Sequence, residues 1–217
     1  MSHSAFLRAR SPEHKQQRRE AILAAARRLA LTSGVRNVSL GGVACEVGLA
    51  KSNVGRYFGT REEIYLELAA EGWQDWRSAV VERLRDASGK DAVVDALAET
   101  LETLPLFCDL LSQLTTSLEH NISVPAARAF KHLVHDVIAD LCGPVVAAYP
   151  VLSESEAREL ISGAAAMAGV LYPVGHPPST ILEVYAQDPE LAALCPPFIP
   201  TLKRFLSAVV AGLPTLR

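Results

Sequence analysis

Four side chains between positions 51 and 56 can donate hydrogen bonds, and none of them is acidic: Lys51, Ser52, Asn53 and Arg56. Arg and Asn can pair with the edges of nucleic-acid bases, whereas an ammonium group or a hydroxyl suits a phosphate oxygen. The chemistry open to this stretch is therefore recognition of an anionic partner that is rich in hydrogen-bond acceptors.

The residues around these donors form the pattern of two short helices joined by a tight turn, over positions 39–58. Ala44 is small where the two helices must nearly touch, and Gly48 can adopt the positive φ of the turn. Apolar residues recur at the spacing that would build a shared small core: Val43, Val47, Leu49, Val54 and Tyr57. With the donors facing outward from its second helix, the pair predicts a helix-turn-helix that fits the major groove of DNA.

The charge of the chain is segregated. The first 60 residues hold ten Lys/Arg and three Asp/Glu, whereas the remainder holds 11 and 21, although the net charge is only −3. A basic small part joined to an acidic larger part predicts two tasks, with a polyanion partner for the first. Five cations near the N-terminus either contact phosphate or the minor groove, or belong to a disordered tail: Arg8, Arg10, Lys15, Arg18 and Arg19.

Nearly all of the chain has a helical pattern. Ser11-Pro12 starts a helix that Gly34 would stop, Ser39 can cap the next one, and a capping box at positions 60–63 opens a long helix. Further helices are expected at about 91–103, 105–119, 125–148, 154–172 and 197–212, with proline-rich interruptions at 173–178 and 196–200. No alternating strand pattern occurs, so the predicted fold class is all-α.

Several classes of protein are disfavoured. No apolar run approaches the roughly 20 residues that span a bilayer, and residues 1–10 lack the apolar core of a signal peptide, so a cytoplasmic protein is expected.

The four cysteines are scattered along the chain, at Cys45, Cys108, Cys142 and Cys195. This distribution favours reduced thiols, with Cys45 the candidate for oxidation. The only metal-like spacing, His132, His135 and Asp136, fits a solvated helix face better, because His135 points away from the others. We expect no metal, no cofactor and no catalytic residue.

The span from Arg19 to Leu68 resembles the N-terminal DNA-binding domain of TetR-family transcriptional regulators. The resemblance is carried by Ala21-Ile22-Leu23, Ala25-Ala26, Gly34-Val35, Val38-Ser39, Val43-Ala44, Val47-Gly48-Leu49, Tyr57-Phe58-Gly59 and Arg61-Glu62-Glu63-Ile64. It implies a flexible basic arm over 1–10, a three-helix DNA-binding domain over 11–64, and a larger helical domain for effector binding and dimerisation over 65–217. Two positions depart from the family pattern: Ala50 replaces the usual Ser or Thr, and Gly55 replaces a bulky residue.

The resemblance assigns roles to six residues. Ser39 would lie near backbone phosphate, and Lys51, Ser52, Asn53 and Arg56 would face the groove. We expect Asn53 and Arg56 to read bases, with Lys51 and Tyr57 as positioning contacts. For Ser52, contact with DNA and simple solvation stay equally open.

A single module of this kind offers a small interface, so specific binding requires two copies on two half-sites. The family pairs its late helices into a four-helix bundle, which implies a homodimer interface at Leu160, Ala164, Ala168, Leu171, Phe198, Leu202, Phe205 and Val209. The alternative is that these residues pack only within the subunit.

The resemblance also implies a pocket for a small-molecule effector. Its candidate lining residues, each of which could instead be plain core, are Trp73, Trp76, Phe107, Leu111, Leu114, His120, Phe130 and Val134. The expected function is a repressor that an effector releases from a palindromic operator. The alternatives are a constitutive DNA-binding regulator or an activator without an effector and, more remotely, an all-helical enzyme. No nucleophile elbow, phosphate-binding loop or dinucleotide glycine motif supports the enzyme.

Overall fold

The computed structural model describes residues 12–217, so the predicted basic arm over 1–10, with Arg8 and Arg10, lies outside the described residues. The first four helices are α1 (Pro12–Ser33), α2 (Leu40–Glu46), α3 (Lys51–Val54) and α4 (Arg61–Leu84). The other six are α5 (Lys90–Glu102), α6 (Pro105–Gln113), α7 (Val124–Ala148), α8 (Glu154–Gly175), α9 (Ser179–Gln187) and α10 (Phe198–Gly212). Within the described part there is no strand, which confirms the all-α class, and no helix there is long and apolar enough to cross a membrane.

Two glycines shape the chain around the first three helices. Gly34 adopts a φ of 81° directly after α1, and Gly48 adopts a φ of 64° between α2 and α3, as the sequence predicts. After Gly48, the Leu49 N–H donates to the Ala44 carbonyl at 2.9 Å. This bond draws the start of α3 back towards α2, so the two helices close over a common core.

The cap of α4 differs in part from the predicted capping box. The Thr60 hydroxyl accepts a hydrogen bond from the Glu63 N–H at 3.1 Å, as expected. The Glu63 carboxylate, however, accepts from the Gly59 N–H at 2.9 Å, one residue before the cap. From this start α4 runs for 24 residues, so the predicted domain boundary at position 64 falls inside one continuous helix.

Helix α4 lies at the centre of the larger part of the molecule. It packs against α5, α6 and α7, while α8 packs against α6, α7 and α10. Its buried face includes Ile64, Tyr65, Leu68, Trp73 and Trp76, and this face belongs to the same hydrophobic core as the buried residues of α1, α2 and α3. The first three helices and the larger part therefore share a core.

Two helix ends differ from the sequence-based expectation. The helix predicted over 105–119 ends at Gln113 and continues as one π-helical turn, Leu114–Leu118. Helix α8, predicted to end at about 172, continues through Pro173 to Gly175, whereas α7 ends at Ala148 as predicted and contains Pro144. Both prolines lie near the ends of long packed helices, where tertiary contacts offset the single missing N–H donor.

Helix α4 has no side chain at Gly72, where Phe107 of α6 packs against it, and this contact allows a test of the packing. A Cβ added there would lie 2.4 Å from a ring carbon of Phe107. We expect Gly72→Ala to lower the free energy of unfolding by about 1–3 kcal/mol, because a packed core has no space for the methyl group. Urea denaturation of the purified protein measures the change.

Gly55→Ala is the matched control for Gly72→Ala. Gly55 has an ordinary helical φ of −58°, and the added Cβ would only touch the Ser52 carbonyl oxygen at 3.6 Å. A glycine replaced at a compatible position stabilises by about 0.4–1 kcal/mol. Equal effects of the two substitutions would contradict the packing described for Gly72.

The start of α8 makes stability depend on pH. The Glu156 carboxylate accepts hydrogen bonds from the Arg217 guanidinium and from the Ser153 N–H, each at 2.7 Å, and these bonds hold the pKa of Glu156 at about 2. Because the folded pKa lies below the unfolded value of about 4.5, the stabilisation is complete above that pH and is lost as the pH falls towards 2.

Glu156→Gln should therefore lower the melting temperature most near neutral pH. The difference from the wild-type protein should shrink as the pH falls through the acid range below the ordinary carboxyl pKa. Differential scanning calorimetry at several pH values measures it, with the exposed Glu159→Gln on the same helix as the control. A difference that stays constant with pH would show that the charge of Glu156 contributes nothing.

Candidate nucleic-acid interface and ligand cavity

Helix α3 is only one turn long. Its N-cap residue, Ala50, has no side-chain acceptor for the first N–H groups, and the helix ends at Val54. Gly55 follows, and the Tyr57 N–H then donates to the Val54 carbonyl at 2.9 Å in a tighter turn. The two departures from the family pattern thus lie at the uncapped start and the early end of the helix.

The predicted donors lie on the side of α3 away from the core. Val54 is fully buried, whereas Lys51, Ser52 and Arg56 are exposed. Asn53 is half-buried. An exposed cationic helix supported by a buried apolar residue can approach a polyanion without leaving the core.

A groove of about 510 Å³ lies between α1 and α3. Its lining residues are His14, Lys15, Arg18, Leu49, Asn53, Arg56 and Tyr57. None of these lining residues is acidic, and three of them carry a positive charge at neutral pH. The groove therefore combines positive potential with amide and phenol hydrogen-bond donors, which suits a phosphate backbone and adjacent base edges.

Helix α1 contributes two of these cations. The sequence left Lys15 and Arg18 as contacts or as part of a disordered tail, but both lie within α1, which begins at Pro12. They face the same groove as Arg56 on the other side. The basic surface is thus formed by two elements held in fixed positions.

Arg19 does not belong to this surface. Its guanidinium donates to the Tyr57 carbonyl at 2.8 Å, pairs with Glu67 of α4, and lies over the Phe58 ring at 4.1 Å from the centroid. These contacts use the donors that a phosphate would need. Arg19 consequently fixes the chain after α3 against α1 and α4, so neither of the two alternatives that the sequence left open, a DNA contact or a disordered tail, describes it.

Ser39 caps α2. Its hydroxyl oxygen accepts a hydrogen bond from the Gly42 N–H at 3.0 Å, and the residue is exposed. The hydroxyl hydrogen makes no contact with any described residue and can donate to an acceptor in solution. This geometry suits the role implied for Ser39 at a backbone phosphate.

A second feature is an apolar cavity of about 470 Å³ between α4, α6, α7 and α8. Five of the eight predicted pocket residues line it: Trp73, Leu111, Leu114, Phe130 and Val134. The sequence analysis did not identify the contribution of α8, which comes from Ser162, Ala165, Ala166, Gly169 and Val170. The π-helical turn forms a polar edge with Thr115 and Thr116. The volume falls in the range of about 300–1,000 Å³ that is typical of small-molecule sites.

The other three predicted pocket residues lie elsewhere. Trp76 is fully buried, and its Nε1–H donates to the Leu97 carbonyl at 3.4 Å. Phe107 packs edge-on against Trp73, with ring centroids 5.4 Å apart, and fills the space beside Gly72. His120 is exposed and donates through Nε2 to the Thr115 carbonyl at 2.9 Å. Helical spacing could not separate these residues from those that line the cavity.

Hydrogen bonds connect the elements around the cavity with the first three helices. The Asp109 carboxylate of α6 accepts from the Val35 N–H at 2.7 Å, just before α2. The Glu63 carboxylate accepts from Gly59 and also from Ser123, the N-cap residue of α7, whose hydroxyl lies 2.8 Å away. The bonds from Ser123 are the main reason that the pKa of Glu63 lies below its usual value. The two bridges join α6 and α7 to both ends of the helix-turn-helix.

Most of the predicted dimer-interface residues lie in the subunit core. Leu160, Ala164, Ala168 and Leu202 are completely buried, and Phe198 is 8% exposed. The small residues of α8 serve a close approach inside the subunit, since a Cβ on Gly169 would lie 3.0 Å from the Leu111 carbonyl oxygen. These five predicted contacts are therefore unavailable to a partner in this conformation.

Other predicted interface residues are available. Phe205 and Val209 on α10 are 48% and 39% exposed, and Leu171 is half-buried. Exposed apolar residues that the sequence analysis did not select lie on neighbouring helices: Val170, Val174, Ile181, Leu182 and Val184. Helix α9 has no buried residue at all.

The cysteines and histidines form no site of their own. Cys108 and Cys142 are buried, and burial raises the pKa of Cys108 to about 12, whereas Cys45 is exposed. In the part of the chain that the structure describes, no group of three or more His, Cys, Asp or Glu residues is placed to hold a metal ion.

Solved structures share this architecture. FadR from Thermus thermophilus, a TetR-family repressor in complex with lauroyl-CoA, matches 90% of this chain and 92% of its own at 18% identity, with a TM-score of 0.56. The fatty acid degradation regulator FadR from Bacillus halodurans matches 89% and 97% at 11% identity, with a TM-score of 0.54. The multidrug binding protein EbrR, complexed with imidazole, matches 88% and 94% at 17% identity, with a TM-score of 0.51. At these identities the likeness shows the fold alone.

Family models cover nearly all of the described chain. A comparison with curated proteins finds no match. Residues 22–68 match the model for bacterial regulatory proteins of the tetR family, and residues 70–217 match the model for the tetracyclin repressor-like C-terminal domain. The two matches meet inside α4. This point lies between the basic groove, which α1 and α3 form, and the apolar cavity. The chain belongs to the TetR family of DNA-binding transcriptional regulators.

Proposed function

We propose that this regulator is a cytoplasmic homodimer that represses transcription from a palindromic operator and is released by a small molecule. The observation that carries the proposal is the single helix α4, which supports the basic groove at one end and forms a wall of the apolar cavity farther along. Membership of a family of transcription regulators favours regulation over catalysis.

Asn53 and Arg56 are the proposed base readers, because both line the groove and carry the amide and guanidinium groups that pair with adenine and guanine. Lys51 and Tyr57 are the proposed positioning contacts, together with Ser39 at the start of α2. Lys15 and Arg18 add phosphate contacts from the opposite side of the groove.

Dimerisation is supported by the exposed apolar residues of α8, α9 and α10. Four large apolar side chains on these helices are each more than a third exposed: Phe205, Val209, Val170 and Ile181. So much exposed apolar surface on neighbouring helices is unusual for a monomer. A second copy that covered them would place two recognition surfaces on one DNA duplex, as a palindromic site requires.

Release by a small molecule is supported by the cavity and by its bridges to the helix-turn-helix. A constitutive regulator without an effector would be expected to have a filled core in this region, and the cavity of about 470 Å³ argues against it. Two proteins of the same fold hold small molecules, lauroyl-CoA in one and imidazole in the other.

The proposal is tested first by selecting genomic DNA with the purified full-length protein. We expect a palindromic site, and Asn53→Ala combined with Arg56→Ala should remove the preference for it over a scrambled duplex. The reason is that these side chains supply the base contacts, while the phosphate contacts persist. Fluorescence anisotropy with both duplexes measures the ratio of affinities.

Lys51→Ala is the comparison for this experiment. It should weaken binding to every sequence alike and reduce the slope of log affinity against log salt by about one unit, because one phosphate contact is lost. If the double variant still discriminates between the two duplexes, the assignment of base readers is wrong.

The bridges generate a separate prediction. Glu63→Gln combined with Asp109→Ala should leave operator affinity nearly unchanged, because neither residue lines the groove. It should reduce the loss of operator affinity caused by a cavity-bound compound by about fivefold or more, which is a typical coupling between two sites. Operator titrations with and without a compound found by thermal-shift screening measure this loss.

The control replaces two exposed carboxylates that have no hydrogen-bond or ion-pair partner among residues 12–217, through Asp86→Ala and Glu159→Gln. These changes should leave the release intact. Undiminished release in the Glu63 and Asp109 variant would mean that the two bridges do not transmit the effect of the compound.

A further inference from the structure

The chain between α8 and α10 is tied to the subunit at its base and is uncovered along its length. At the base, the Cys195 thiol donates a hydrogen bond to the Val174 carbonyl, with Sγ and O 3.4 Å apart. Between these residues lie α9 and a 3₁₀-helical turn, Pro189–Leu194, which pack on each other, and no other described helix is in extensive contact with α9. Residues 179–194, here called the α9 segment, are all exposed except the half-buried Tyr185.

Helix α9 is amphipathic, and nothing within the subunit covers its apolar side. Ile181, Leu182 and Val184 are 38%, 52% and 40% exposed, and helical periodicity places all three on the side away from Glu183. A helix of nine residues gains little stability by itself, because isolated helices shorter than about 12–15 residues are marginal in water. The apolar side of α9 therefore needs a surface that one subunit does not supply.

The charge of the α9 segment restricts the chemistry of that surface. The segment contains Glu183, Asp188 and Glu190 and no Lys or Arg. The three carboxylates have no hydrogen-bond or ion-pair partner among residues 12–217. Acidic side chains are repelled by DNA phosphate and by anionic lipid. The complement of the segment is a protein surface that is apolar and positively charged.

The outer side of α10 is such a surface. Eleven Lys and Arg residues follow position 60, and within the described part of the chain only Arg128 and Arg204 of these lack an ion-pair partner. Arg204 is exposed beside Phe205, which is 48% exposed, and Val209 continues the exposed side of the helix one turn later. Arg and aromatic residues are enriched at the centres of protein interfaces, where they contribute much of the binding energy.

We propose that the α9 segment of one subunit docks on the outer side of α10 of a second copy of this chain. Arg204 of the second copy pairs with the carboxylates of the segment, and Phe205 and Val209 cover the apolar side of α9. A two-fold axis repeats the contact with the roles exchanged, so one dimer covers the complementary surfaces of both subunits. This inference rests on the proposed homodimer, and it adds which elements meet and which charges pair.

Charge reversal tests the pairing on the full-length protein without DNA. Arg204→Glu should weaken the dimer about tenfold or more, because a carboxylate then faces the acidic segment. Glu183→Lys, Asp188→Lys and Glu190→Lys together should also weaken it. Adding Arg204→Glu to these three changes should recover most of the lost affinity, since opposite charges face each other again. Sedimentation equilibrium measures the dimer dissociation constant.

Arg128→Glu is the matched control for Arg204→Glu. Arg128 is the other cation after position 60 without an ion-pair partner, but it lies near the start of α7, outside the proposed contact. Its reversal makes the same change in net charge and should leave the dimer dissociation constant unchanged.

The apolar contact is tested by Leu182→Asp. Leu182 is 52% exposed, so the change should leave the fold of the subunit intact, but it should weaken the dimer about tenfold or more because it buries a carboxylate against apolar groups. Val124→Asp, at a side chain on α7 that is 71% exposed, is the control. Hydrogen exchange followed by mass spectrometry should show slow amides in α9 of the wild-type dimer and fast ones in Leu182→Asp.

Several results would overturn the inference. They are an unchanged dimer in Arg204→Glu or Leu182→Asp, no recovery when the charges are exchanged, fast exchange of α9 in the wild-type dimer, or a wild-type protein that stays monomeric. If both variants remain dimeric and bind the operator, the proposed dimeric repressor stands and the docking of the α9 segment fails. If the variants dissociate as expected but the wild-type protein selects no operator, the docking stands and the proposed function fails.

Discussion

Burial of one long helix, α4, constrains the positions of the helices that pack around it. Helix α4 is covered by α5, α6 and α7 and shares a core with α1, α2 and α3, so its apolar residues contribute to both parts of the chain. Its first turn is tied to the loop after α3 through Thr60 and Glu63. Its third and fourth turns place Trp73 in the cavity wall. The groove and the cavity therefore depend on one continuous packed helix.

The basic residues of the first 60 positions are divided between two physical roles. Lys15, Arg18 and Arg56 line the groove and have no ion-pair partner among residues 12–217, whereas Arg19 and Arg27 pair with Glu67 and Glu71 on α4. The paired arginines are partly exposed, so each ion pair adds only modest stability. Their larger effect is geometric, since Arg19 holds the Tyr57 carbonyl and thereby the chain that leaves α3.

The cavity lies where regular packing is interrupted. Helix α6 gives way to a π-helical turn at Leu114, and the backbone of α8 lies close to that of α6 at Gly169. Extra width in a π-helical turn displaces the residues that follow it, and such turns often occur at functional sites. The same segment carries Asp109, which reaches the helix-turn-helix. The segment that borders the cavity is therefore bonded directly to the DNA-binding part.

The amino-acid sequence by itself determined the helical class, most helix positions, the helix-turn-helix and the cationic donors of α3. These features depend on local patterns: apolar spacing, capping residues, and a glycine with positive φ at Gly48. The tertiary structure alone decided that Arg19 faces inward, that Leu160 and Ala164 belong to the core, and that Trp73 lines the cavity while Trp76 does not. Helical periodicity shows which face of a helix is apolar, but not which neighbour covers it. That depends on contacts between residues far apart in the chain, and these are fixed only when the helices pack.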